Sequence, residues 1–178
     1  MSATLIEPNP KQKIKPALLI IDTQNKFLKM IADRDKELAI YFINLLIDLF
    51  RKYDFPVIRI YHRDKDKDEN QDSEEFQYPT NILIRPDDTK LVKNYSDSFN
   101  KTDLDKILKE SGSNTLFLTG LSAVGCVLAT MIGAMNHDYK VFMVKDAIMS
   151  HKTEYTSNVE AMFDAISFNA VRLIVENS

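Results

Sequence analysis

Apolar residues follow two rhythms along this chain. Ala17-Leu18-Leu19-Ile20-Ile21 is an unbroken apolar run that stops at Asp22. A run apolar on both faces is what a strand inside a parallel sheet requires. Val57–Tyr61, Leu91-Val92 ending in Lys93, Thr115–Thr119, Val141–Val144 and Val171–Val175 read as further strands, and Ile82–Ile84 as a short one between Pro79 and Pro86. Between these runs the spacing changes to three and four. Leu38, Phe42, Leu45, Leu46 and Leu49 share one face of a helix over 34–53. Residues 103–111 form another, capped by Thr102 and ended by Gly112, with Leu104, Ile107 and Leu108 inward. A mostly apolar helix follows over 125–137 and another over 153–165. Strands alternating with helices predict an α/β fold: three layers, α/β/α, around a mainly parallel central sheet.

One stretch breaks the rhythm. Residues 63–75 carry seven acidic and three basic side chains and almost nothing apolar. They read as a solvated loop. The acidic alternation lacks the glycine that an EF-hand loop needs at its turn, so it does not match that calcium motif.

Composition narrows the partners. At 178 residues the chain fits a single domain, 1–178, with 1–15 expected as an exposed N-terminal arm. A formal net charge of −3 gives no basic footprint for nucleic acid. No apolar run approaches the ~20 residues needed to span a bilayer, and the N-terminus has no signal-peptide core. A single cysteine, Cys126, excludes an internal disulfide framework and any multi-cysteine metal site within one chain. Both fit a cytoplasmic setting.

In an open α/β sheet, ligands bind beyond the carboxyl ends of the strands. That rule selects Asp22, then His62, Arg63 and Asp64, then Lys93, the segment Gly120–Cys126, and Asp146. Cys126 sits where a loop turns into a helix. The partial positive charge and free N–H groups there favour a thiolate and can hold an oxyanion. The alternative is a small core residue. Asp22 ends a wholly apolar strand, where burial raises a carboxyl pKa and a nearby lysine lowers it. It reads either as a base or as an N-cap. Lys93 is either the cation serving both groups or a surface lysine. His62 follows a strand end and is either a site residue or a surface histidine, while Phe27, Tyr95 and Phe99 either line an apolar pocket or pack the core.

The residues also carry a resemblance. Ala17–Phe27, an apolar strand running into Asp22-Thr23-Gln24-Asn25-Lys26-Phe27, resembles the first motif of the isochorismatase-like cysteine hydrolases. Lys93 followed by Phe99 and Thr102-Asp103-Leu104 resembles their second, and Thr119-Gly120 through Cys126-Val127 their third. Val144-Lys145-Asp146-Ala147 is similar to the Asp-Ala that follows the next strand. The motifs keep the family's order over roughly residues 15 to 165. The resemblance implies Asp22 as general base, Lys93 as its cationic partner and Cys126 as nucleophile towards a small amide-like carbonyl. It implies a cis peptide at Leu121-Ser122, with the N–H groups of Ser122 and Cys126 as the oxyanion hole. Gln24, Phe27, His62, Tyr95 and Phe99 become candidate substrate-binding residues. The partner implied is a small molecule, the assembly a homo-oligomer, and no cofactor is expected. The chain departs from the metal-binding nicotinamidases of the group, because beyond the second strand it offers only His62 and Asp64; no metal is expected. Lys26 stands where the motif often has an acid. Related alternatives are a vinyl-ether hydrolase that dispenses with the cysteine, and a non-catalytic member of the fold.

Overall fold

The computed structural model describes residues 13–178 apart from 68 and 164, so most of the expected N-terminal arm lies outside the described residues. The strands are β1 (Pro16–Ile21), β2 (Val57–His62), β3 (Thr89–Lys93), β4 (Thr115–Leu121) and β5 (Lys140–Met149). They form one sheet in the order β3-β2-β1-β4-β5, and every neighbouring pair is parallel. The helices are α1 (Asn25–Leu28), α2 (Asp33–Lys52), α3 (Leu104–Glu110), α4 (Leu128–Asn136), α5 (Thr153–Met162) and α6 (Phe168–Glu176).

Strand β1 shows why the apolar runs are continuous. All six of its residues are buried. Leu18 and Ile20 pack with Ile43, Leu46 and Ile47 of α2 and with Val171 and Val175 of α6. Ala17, Leu19 and Ile21 point the other way, into Leu104 and Leu108 of α3 and Met131 and Ala134 of α4. Alternate side chains therefore feed two cores on opposite faces of the sheet, and the three expected layers follow.

Several elements differ from the sequence reading. Residues 171–175 are helical, within α6. Val171 and Val175, four apart, are buried, while Leu173 is exposed, and the Ser167 hydroxyl caps the helix by accepting from the Ala170 N–H. A short apolar run cannot by itself separate a buried strand from a helix. Ile82–Ile84 forms no strand. It is held instead by Asn44, whose amide donates to the Asn81 carbonyl and accepts from the Leu83 N–H. The buried stripe of α2 keeps Leu46 and Leu49 of the one expected but is otherwise rotated: Ala39, Ile40, Ile43, Ile47 and Phe50 also face inward, and Leu38 faces solvent. Strand β5 runs on to Met149 through a register break, where Leu118 pairs with Met143 but Gly120 with Ile148. Asp146, with φ 63°, sits in that irregularity rather than beyond the strand end.

Candidate active site

With β2 and β3 on one side of β1 and β4 and β5 on the other, the strand order reverses between β1 and β4. Crevices open at such a point, beyond the carboxyl ends. Asp22 comes directly after β1. Its backbone has φ 50°, and its N–H donates to the Ile60 carbonyl at 2.8 Å. His62 and Lys93 are the last residues of β2 and β3 and are register partners. The Tyr78 hydroxyl lies between the carbonyls of Ile20 and Ile60 at 2.6 and 2.7 Å, tying the ends of β1 and β2 together.

Lys93 is fully buried. Its ammonium donates to Asp22 Oδ2 at 2.7 Å and to the Tyr95 carbonyl at 3.1 Å, and it lies 3.3 Å from His62 Nδ1. An ammonium has only donors, so His62 Nδ1 must be the acceptor and the ring proton sits on Nε2. Burial, and next the Lys93 charge, hold His62 below the usual histidine range. The imidazole is neutral near pH 7.

Cys126 reaches the same spot from β4. Gly120, φ 97°, makes the turn possible: a Cβ there would collide with the Ile21 carbonyl and lie 2.8 Å from Thr23 Oγ1. The Leu121–Ser122 peptide is cis. A π-helical turn, Ala123–Val127, then leads into α4, with Gly125 at φ −124°, ψ −109°. The Ser122 carbonyl accepts from Gly125 N–H at 2.8 Å and Val127 N–H at 3.2 Å, on either side of Cys126.

The electrostatics correct one expectation. The Cys126 thiol is not acidified; burial first and the Asp22 carboxylate second push it up to about 11. Asp22 is itself raised by burial, against the pull of Lys93 and a lesser one from the thiol. Asp22 Oδ1 has no hydrogen bond of regular geometry. The thiol that faces it makes a looser contact, with Asp22, His62 and Cys126 presenting atoms within 4.8 Å of one another. A buried acceptor without a full partner beside a protonated thiol is a pair set for proton transfer.

Three such ligand atoms could in principle hold a metal ion. The Lys93 ammonium already supplies the positive charge there and bonds both Asp22 and His62. A second cation would have to sit against it, so the donor set does not fit a resident metal.

The cavity above these groups has a volume of about 300 Å³ and is lined by Asp22, Phe27, Met30, His62, Ser96, Leu121, Ser122 and Cys126. A larger hollow of about 420 Å³ near α1 and α2, lined by Lys29, Lys36, Glu74 and Glu75 among others, has no cysteine, serine, threonine or histidine among its lining residues. Of the sequence candidates, Asp22, Phe27, His62, Ser122 and Cys126 meet at the smaller cavity. Gln24 lies beneath it as a brace: its Nε2 donates to the Phe76 carbonyl and its Oε1 accepts from the His62 N–H. Tyr95 gives its carbonyl to Lys93, while its ring turns towards Lys101. Phe99 is not among the lining residues; it is buried in the core and stacks on His137 at 4.8 Å. Leu121 falls in the selected segment Gly120–Cys126 and ends β4, whereas Met30, Ser96 and the brace Tyr78 carry no sequence signal, because none belongs to a periodic pattern or a strand-end position.

Two walls frame the cavity. The loop after β3 leans on α4, where Ser98 N and Oγ meet Thr130 Oγ1 at 3.1 and 2.8 Å and the Asp97 carboxylate lies against Gly133, leaving no room for a Cβ. Opposite it, α1 is held by the charged loop. Lys26 pairs with Glu69 at 2.7 Å, and the N–H groups of Asn25 and Lys26 donate to the Gln77 and Glu75 carbonyls.

Residues 16–171 match the model of the isochorismatase domain, and the chain belongs to that family. Its relatives include enterobactin synthase component B of Escherichia coli, 31% identical over 150 residues that cover 75% of this chain and 52% of that protein. The chain thus spans about half the length of that relative. A 58-residue stretch, 33% of this chain and 27% of the relative, is 33% identical to maleamate amidohydrolase of Pseudomonas putida. Among solved structures, N-carbamoylsarcosine amidase of Thermoplasma acidophilum superposes with a TM-score of 0.73 at 24% identity, covering 86% of this chain and 95% of that one. That likeness bears on the fold.

Proposed function

We propose that this protein is a cysteine amidohydrolase that cleaves the C–N bond of a small amide through a thioester acyl-enzyme. The observation carrying this reading is the closed set Cys126–Asp22–Lys93: a protonated thiol, a buried carboxylate with one oxygen not fully partnered, and an ammonium that holds the other oxygen at 2.7 Å. A relative named as an amidohydrolase, similar over a 58-residue stretch, supports the same direction.

The chemistry proceeds in two halves. Asp22 takes the thiol proton as Cys126 Sγ bonds to the substrate carbonyl carbon. Negative charge moves to the carbonyl oxygen, where the backbone N–H groups of Ser122 and Cys126 stabilise it. The C–N bond breaks, and the proton on Asp22 goes to the departing nitrogen. Water then gives its proton to Asp22 and its oxygen to the thioester carbon, and the sulfur leaves and regains its proton. Lys93 keeps Asp22 oriented and charged between protonations. With the resting thiol near 11, the sulfur needs this base at neutral pH.

The test is ammonia release from a panel of small carboxamides and ureides by the wild type and Cys126→Ala. Cys126→Ala is expected to lower the rate by at least about 10³-fold. Release that survives the substitution would overturn the thioester intermediate and point instead to direct attack by a water that Asp22 activates. Release by neither form would favour a non-catalytic role.

A further inference from the structure

The lining of the cavity bears on the substrate. Of the eight residues named, Phe27, Met30 and Leu121 are apolar, Asp22 is acidic, and none is lysine or arginine. The nearby cations are committed elsewhere. Lys93 is buried behind Asp22 with its donors directed to Asp22, Tyr95 and His62. Lys26 lies 4.9 Å from the Phe27 ring but is held by both Glu69 oxygens, at 2.7 and 2.8 Å. Arg63 reaches the Asn94 side chain. His62 cannot serve as a cation either, because its Nδ1 faces an ammonium and must accept. It presents a neutral Nε2–H.

An anionic group entering this cavity would lose water, meet the Asp22 carboxylate and find no opposite charge among the described lining residues. Burial of an unpaired carboxylate is strongly unfavourable. A neutral apolar chain would meet Phe27, Met30 and Leu121, while its amide meets the polar groups at the base. At about 300 Å³ the volume suits a small molecule. We infer that this site selects an uncharged carboxamide with a short apolar acyl chain and rejects amides that carry a carboxylate on that chain. The inference rests on the amidohydrolase reading and adds a selectivity that the names of the relatives do not suggest, since maleamate and N-carbamoylsarcosine both carry a carboxylate.

A matched pair tests it. 4-Methylpentanamide and succinamate have the same number of heavy atoms, with an isopropyl group in one where the other has a carboxylate. Binding of each to the Cys126→Ala protein is measured by calorimetry, and turnover of each by the wild type. The expected result is binding of the neutral amide at least about tenfold tighter, with a matching preference in kcat/KM. Equal binding, tighter binding of succinamate, or no binding of the neutral amide would overturn the selectivity. Selective binding of the neutral amide with no turnover of either compound would overturn the amidohydrolase reading and leave the selectivity standing.

Discussion

At the scale of single residues, the site is a three-body charge problem. Asp22 pushes the thiol up and Lys93 pulls it down, and burial, acting on both acids, decides the resting state. The signs give a prediction that separates acidity from catalysis. Alkylation of wild-type Cys126 by iodoacetamide should be slow at pH 7 and rise with pH towards about 11. Asp22→Asn removes the charge that raises the thiol, so its alkylation profile should shift to lower pH. Amide hydrolysis should meanwhile fall by about 10²–10⁴-fold through loss of the base. A profile displaced upwards would contradict this assignment of Asp22. The substitution also leaves Lys93 buried without its counter-charge, which should cost about 3–5 kcal/mol of stability by urea unfolding.

Among the elements, the turn from β4 into α4 is the least tolerant. Gly120 has a positive φ and no space for a Cβ beside the Ile21 and Thr23 backbone and side-chain oxygens. Gly120→Ala should cost at least about 3 kcal/mol. In a domain of this size that lowers the melting temperature by roughly 6–12 °C in a calorimetric scan. The charged loop is the opposite case. It buries little, and the Lys26–Glu69 pair is one of several contacts that attach it to α1, beside the backbone bonds from Asn25 and Lys26. Glu69→Gln should cost about 1 kcal/mol at most and show as faster proteolytic cutting within residues 64–77, with the melting temperature changed little. This attachment was not legible in the sequence. A run of charges shows that a segment is solvated, but not which neighbour it grips.

Across the whole molecule, legibility followed the physics. The strands that form the sheet's interior announce themselves because both faces must be apolar, and the strand-end rule then led to Asp22, His62, Lys93 and Cys126 together. The final helix was missed because Val171–Val175 is apolar at nearly every position, so its four-residue period is hidden. Asp146 was misplaced because a register break leaves no mark in composition. The acidity of Cys126 was read with the wrong sign, since a helix terminus is visible in sequence while its burial beside the carboxylate of Asp22, from a distant strand, is not. For Phe99 the sequence left pocket wall and core packing open; it packs in the core and stacks on His137.

The two walls of the cavity differ in stiffness. The loop bearing Ser96 is bolted to α4 through Ser98, Thr130 and the Asp97–Gly133 contact, so it shares the fate of the helix that directly follows the turn bearing Cys126. The wall bearing Phe27 and Met30 hangs from a polar loop, and Met30 is 60% exposed. Under selection for a new substrate, change has an open route on one side only. A cation introduced at Met30 can alter what the cavity admits while the reacting groups keep their spacing, whereas any enlargement at Gly133 would disturb the chemistry before it could redirect it.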